Sequence, residues 1–299
     1  MKKLSFAIVL LALMACNRSE KNTTAKETRT SGQTQLLVDD SFARILDDQI
    51  QVFKSDYPDA KVQTILGSEN QILPDFLNGK VKLIVLSRML KPNEEQYYKQ
   101  KQVPVYTDRF AVDAIALITN ANNLDTNITT SEVYQIMTGA SQTKTNLVFD
   151  NASSSTIRYF IDSAKIKELP KQGVYTLKTN NDVIKYVAEN ENYIGVVGVN
   201  WLLESNKEIF SSLSKIKIMS VKNDKKPLAG YLKPTQKNLM NGSYPFLRNV
   251  FIINAEGKNG VGTGFANWLT SPRGQLIVLK SGLGPHETLS RDFNIKKAN

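Results

Sequence analysis

The chain has 299 residues, a formal charge of +10, one cysteine and one histidine, which is enough length for two ordinary lobes or one large domain. A single thiol and a single imidazole exclude a disulfide framework and a multi-histidine metal centre, so stability must come from core burial. The basic balance favours anionic partners, but the lysines and arginines are dispersed, and no dense basic run with interleaved aromatics argues for nucleic acid.

The first element is an address. Lys2-Lys3 precedes an apolar run over residues 4–15, which is too short to span a bilayer and reads as a secretory signal. Its end, Leu13-Met14-Ala15-Cys16, resembles the lipobox of bacterial lipoproteins. That resemblance implies cleavage before Cys16, acylation of Cys16, and anchoring to a membrane in the cell envelope, on the periplasmic or outer surface. Removal of the leader leaves a charge of +8, ten less Lys2 and Lys3, and with Cys16 lipidated no free thiol remains. Residues 17–33 contain no large aromatic or aliphatic cluster and read as a flexible tether.

Strands and helices then alternate. Residues 35–38 read as a strand, and Phe42, Ile45, Leu46, Ile50 and Phe53 recur at helical spacing until Asp56-Tyr57-Pro58. A second strand spans 61–66. The helix after Gly67-Ser68 ends near Asn78-Gly79, although Pro74 lies inside it. Residues 81–86 form a nearly continuous apolar run, as in a buried parallel strand, and Pro92 opens the next helix. This is a βαβαβ unit. Such units place ligands at the carboxyl ends of their strands, beside helix N-termini.

The pattern restarts with a strand over 111–118 and the capping box Thr129-Thr130-Ser131-Glu132, which opens a helix reaching Gly139. A strand at 147–149 runs into Asp150 and the serines, and a helix follows with Ile157, Phe160, Ile161 and Ala164 on one face. A helix over 182–189, strands over 193–199 and 250–253, and helices over 265–269 and 275–279 complete the reading, with Ser271-Pro272 as a cap. The glycines 257, 260, 262 and 264 do not make a dinucleotide fingerprint, because position 265 is phenylalanine. They read as a flexible turn before a helix. His286, in Gly284-Pro285-His286, has no second candidate ligand nearby in sequence and reads as a surface or satisfied histidine.

Hydroxyl residues recur where strands hand over to helices: Ser41, Ser68, Ser87 and residues 153–156. Free N–H groups and the positive dipole end at a helix N-terminus favour an anion, and hydroxyls add donors without charge. Each serine is equally able to cap its own helix. Four converging loops would surround an oxyanion.

These residues resemble the periplasmic phosphate-binding proteins of ABC importers, PstS-like, in the type II periplasmic-binding fold. The resemblance rests on Ser87-Arg88-Met89-Leu90-Lys91-Pro92, on Ser154-Ser155-Thr156 with Phe160, and on Ile194-Gly195-Val196-Val197-Gly198. It extends to Tyr244-Pro245-Phe246-Leu247-Arg248, and to Phe265-Ala266-Asn267-Trp268-Leu269 through Gly274-Gln275 and Ser281-Gly282-Leu283. It implies an α/β protein of two lobes, each a mostly parallel sheet flanked by helices, joined by two hinge strands and closing over ligand. By position it assigns ligand contacts to Ser41 and Phe42, Ser68, Arg88, and Ser154, Ser155 and Thr156. Ser155 replaces a customary glycine, and Asp150 stands in place of the arginine customary upstream of the serines, with Arg158 on the helix as its candidate substitute; Asp150 or Asp39 would accept the proton of a monoprotonated phosphate.

The expected organisation is a signal at 1–16, a tether at 17–33, lobe 1 over 34–113 and 248–299, and lobe 2 over 114–247. The expected function is a lipid-anchored, monomeric solute-binding protein that captures phosphate for an ABC transporter permease, with no cofactor, metal or catalysis. A ligand-less interaction or sensor lipoprotein is the alternative. No carboxylate spacing favours a hydrolase.

Overall fold

The computed structural model describes residues 27–203 and 207–286. The leader, Cys16 and residues 17–26 of the expected tether lie outside the described residues. Residues 27–33, within the expected tether, are folded: Thr28 bridges Ser31, and Arg29 donates to Asn259 Oδ1 at 2.7 Å. The first strand begins at Gly32, whose N–H donates to Asp59 O at 3.0 Å.

The first half alternates as predicted: β1 (Gly32–Asp39), α1 (Ala43–Asp56), β2 (Ala60–Gly67), α2 (Glu69–Leu77), β3 (Leu83–Leu86) and α3 (Pro92–Gln100). β1 pairs in parallel with both β2 and β3. α1 buries Ile45, Leu46 and Phe53, and the Phe53 ring meets Tyr57, Phe265 and Trp268 edge-on. Such aromatic contacts add about 0.5–1.5 kcal/mol each beyond the area they bury. Pro74 does not end α2; Asn78 N–H still donates to Pro74 O at 2.9 Å, so proline removes only the bond of its own missing N–H.

β4 (Tyr106–Asn120) is almost twice as long as the apolar run that signalled it, because it belongs to both lobes. The second lobe follows with β5 (Asn127–Thr129), α4 (Thr130–Met137), β6 (Asn146–Phe149), α5 (Ser155–Ala164), β7 (Val174–Thr176), α6 (Asn180–Glu189) and β8 (Tyr193–Gly198). Then come α7 (Phe210–Leu213), β9 (Ile216–Ile218), β10 (Ser220–Lys222), β11 (Tyr231–Leu232) and α8 (Gln236–Met240). These short pieces carry too few residues to show a period, and the sequence reading passes over them. β12 (Leu247–Asn254), α9 (Val261–Thr270), α10 (Pro272–Lys280) and β13 (Gly284–Pro285) close the described chain.

The main sheet runs β2-β1-β3-β12-β4-β8-β6-β7, with β13 and β9 also on β4, and β11-β10-β5 form a small second sheet. β12 lies antiparallel between β3 and the first half of β4, while the second half of β4 pairs with β8. The buried apolar clusters divide at this crossing. Two draw on residues up to Ala111 and from Val250 onward. The other two draw on residues from Ala114 to Phe246. Between them, Asp113 on β4 sits opposite Arg248 on β12.

The glycine-rich stretch departs from the turn expected of it. Gly257 alone has a left-handed backbone (φ +67), whereas Gly260 is the N-cap of α9, and Gly262 and Gly264 lie within the helix. A β-carbon at Gly262 would overlap Leu83 Cδ1, and one at Gly264 would overlap the Arg29 carbonyl. Glycine therefore lets α9 approach β3 and the N-terminal segment. Among the described residues no helix is long and apolar enough to cross a membrane.

Candidate functional site

The strand ends of both lobes meet at the crossing. β1 delivers Asp39, Ser41 and Phe42; β6 delivers Asp150 and residues 154–156; β8 delivers Gly198, Asn200 and Trp201. α6 begins at Asn180, and the hinge strands carry Asp113 and Arg248. All three aspartates are buried to within 1% of full burial, and Arg248 is 4% exposed.

Arg248 is the centre of the cluster. Its Nε donates to Asp113 Oδ2 at 2.8 Å, and its Nη1 donates to Ser155 Oγ at 3.3 Å and Thr156 Oγ1 at 3.1 Å. The guanidinium also lies over the Phe42 ring, 4.8 Å from its centroid. Its Nη2 is buried with no hydrogen-bond partner among the described residues. Because the two hydroxyls accept from Arg248, they face any further acceptor as donors, Ser155 together with Ser41 across the lobes. A β-carbon on Gly198 would lie 2.9 Å from Asn200 Oδ1 and 3.1 Å from Arg248 Nη2, so a side chain there would crowd both groups where β8 passes the guanidinium.

The lobes touch here. Ser41 Oγ and Ser155 Oγ are 3.2 Å apart, and Trp201 Nε1 donates to Ser41 O at 3.0 Å. Asp39 Oδ1 accepts the Ser41 N–H at 2.9 Å, and Asp150 Oδ2 accepts from Asn180 Nδ2 at 3.2 Å. The other oxygen of each aspartate, Asp39 Oδ2, Asp113 Oδ1 and Asp150 Oδ1, lacks a hydrogen-bond partner among the described residues, as do Asn180 Oδ1 and both amide atoms of Asn200. The cluster thus combines donors suited to an anion with acceptors suited to its protons.

Burial raises all three carboxyls above their ordinary range, opposed by the charge of Arg248. Asp150 is pushed up to about 6 from 3.8, by burial first and with a contribution from the charge of Asp39. Between about pH 4 and 6 the folded chain keeps a proton that the unfolded chain has released. The resulting stability is present below pH 4 and is lost as pH rises through 6. Asp150→Asn should therefore flatten the fall in stability across this window and add about 2–3 kcal/mol at pH 7. Urea midpoints at pH 4, 5, 6 and 7 test this; equal slopes in both proteins would contradict it.

Of the residues singled out from sequence, Ser41, Phe42, Ser155 and Thr156 gather around Arg248. Ser154 lies at their edge, where its Oγ accepts the Ile157 N–H at 3.2 Å and caps α5. Ser68 and Arg88 are not brought to the guanidinium. Ser68 Oγ donates to Gln71 Oε1 at 3.0 Å in the cap of α2. Arg88 pairs with Glu69 at 2.6 Å and Glu94 at 2.7 Å, so two carboxylates neutralise the cation expected in the cleft. The arginine at the centre is instead Arg248. Its signal was available: Asp113 is the one charge in the apolar run 110–118 and Arg248 the one charge in β12, a pattern that marks a buried pair. His286 is half-buried, and its backbone N–H donates to Gln275 Oε1 at 2.6 Å.

Two α/β lobes joined by crossing strands, with a buried polar cluster where they meet, define a two-lobed binding-protein fold. The family profile of the PBP superfamily domain matches residues 23–273, and the chain belongs to that superfamily. A phosphate-binding protein PstS of Staphylococcus epidermidis is 26% identical over 211 residues, covering 66% of this chain and 61% of that relative's length. The PstS of Pseudomonas aeruginosa is 24% identical over 291 residues, covering 87% and 85%. Among solved structures, a substrate-binding protein from Clostridium perfringens with bound phosphate superposes with a TM-score of 0.71 at 20% identity, covering 86% of this chain and all of that one. An ABC-type phosphate transport receptor from Vibrio cholerae gives 0.65 at 18%, covering 85% and 100%. At these identities the superpositions establish the shared fold.

Proposed function

We propose that this protein captures a small protonated oxyanion, phosphate, between its lobes and presents it to an ABC importer without catalysing a reaction. The observation that carries the reading is the buried Arg248 Nη2, without a partner among the described residues, beside the Ser155 and Thr156 hydroxyls. A buried guanidinium donor of this kind is costly unless a ligand acceptor meets it. The unpartnered carboxylate oxygens of Asp39, Asp113 and Asp150 favour an anion that carries its own protons over a fully deprotonated one such as sulfate. Relatives named for phosphate binding support the same ligand.

The ligand-less alternative is weaker, because it leaves this polar cluster without a purpose. In the proposed arrangement lobe 1 comprises residues 34–113 and 248–299, lobe 2 comprises 114–247, and the protein acts as a monomer. Its place is the cell envelope outside the cytoplasm, held by lipid on Cys16. Calorimetric titration of the purified protein with phosphate, and separately with sulfate, tests the function. One phosphate site with much weaker sulfate binding is expected; absence of phosphate binding would overturn the reading.

A further inference from the structure

A second charged cluster spans the lobes away from Arg248. α5 carries the anion-loop residues Ser155 and Thr156 at its start, and Arg158 in the same first turn. Arg158 reaches across to lobe 1, where Nε meets Glu69 Oε2 at 3.1 Å and Nη2 donates to Ser87 Oγ at 2.7 Å. Glu69 is the first residue of α2, and its side chain is only 3% exposed. Its other oxygen accepts from Arg88 Nε at 2.6 Å, and Arg88 is held in turn by both oxygens of Glu94. The Arg88 side chain is 15% exposed and that of Arg158 27%.

The order of burial matters. Glu69, Arg88 and Glu94 all belong to lobe 1 and form a preset ion network, whereas Arg158 alone arrives from lobe 2. Glu69 gains its second cation only when the lobes meet. A mostly buried carboxylate between two guanidiniums is stronger than an exposed surface pair, which is worth little. Arg158 shares a rigid helix turn with Ser155 and Thr156, so fixing it also fixes where those hydroxyls face Ser41.

We propose that Arg158 is a positioning residue, and that its pairing with Glu69 and Ser87 is an interlobe clasp that holds the anion loop in its binding position and slows ligand escape. The proposal rests on the phosphate reading for its ligand, but the clasp itself is a property of the two lobes. It acts after encounter, on dissociation more than on association.

The test uses stopped-flow phosphate binding together with interlobe distances from spin labels. Labels at Lys61→Cys and Lys171→Cys, exposed positions on opposite lobes, are introduced in a Cys16→Ser background that removes the only native cysteine. Arg158→Met should raise koff about tenfold, the loss of one charge-assisted contact, while kon stays within about twofold. It should also broaden the distance distribution towards longer separations. Glu69→Gln should act in the same direction. Arg158→Lys, which can reach one partner at a time, should fall between wild type and Arg158→Met. Asp162→Asn, which removes only the exposed same-helix partner of Arg158, should leave both readouts unchanged.

Should Arg158→Met prove poorly folded, Ser87→Ala, which removes the Nη2 acceptor of the clasp and leaves both charges in place, is a milder perturbation and should also speed dissociation. Wild-type koff and distances in Arg158→Met and Glu69→Gln, or in Ser87→Ala together with Arg158→Lys, would overturn the clasp. If the wild type binds no phosphate yet the variants still shift the distances, the phosphate reading fails and the clasp stands.

Discussion

Replacing Arg248 with methionine is expected to lower phosphate affinity at least about a hundredfold, because two charge-assisted hydrogen bonds of about 1.5–3 kcal/mol each are lost and every 1.4 kcal/mol is tenfold. The same change leaves Asp113 fully buried without its cation. Breaking one side of such a pair costs about 3–5 kcal/mol of stability. The two effects separate in the double variant Asp113→Asn, Arg248→Met, which removes both charges. It should regain much of the lost stability, read by urea unfolding, yet remain unable to bind phosphate by calorimetry. Wild-type affinity in Arg248→Met would place the anion elsewhere.

The second large effect concerns neighbouring hydroxyls that differ in role. Ser155→Ala with Thr156→Ala removes both side chains that accept from Arg248 Nη1. Their protons then no longer reach an oxyanion, and affinity should again fall about a hundredfold. Helix α5 keeps its cap, but Arg248 Nη1 loses both acceptors while buried, which should cost about 1–3 kcal/mol of stability in the ligand-free protein. Ser154→Ala differs in affinity rather than in stability: it removes the acceptor for the Ile157 N–H and should cost about 1 kcal/mol of stability with a much smaller loss of affinity. Calorimetry and thermal unfolding on the same samples distinguish the two. If Ser154→Ala lowers affinity as much as the double variant, all three hydroxyls touch the ligand and the division of labour fails.

Local signals in the chain were sufficient for much of the fold. The apolar stripe of Ile45, Leu46 and Phe53, the unbroken run behind Leu83–Leu86, and the Thr129 and Ser271 caps each act over one or two turns, and neighbours in sequence are neighbours in space there. The short elements between residues 207 and 240 were not legible, because strands of two or three residues are held by their partners in the sheet rather than by their own pattern.

For the candidate site, position along the strands pointed to the loops, and the structure gathers Ser41, Phe42, Ser155 and Thr156 from them beside Arg248. Sequence alone also determined the paucity of thiol and imidazole and the alternating strand and helix order that leads to this superfamily. It did not determine which arginine lies among the hydroxyls at the crossing of the lobes. Arg88 and Arg248 are both single cations beside apolar strands, and only tertiary structure decides between them. Glu69 and Glu94 approach Arg88 at the edge of lobe 1 and hold it there, whereas β4 and β12 cross so that Arg248 faces Asp113 with its guanidinium toward the second lobe. Contacts between residues 135 positions apart arise from strand register, and register at a crossing is set by how two lobes pack, which no local pattern encodes.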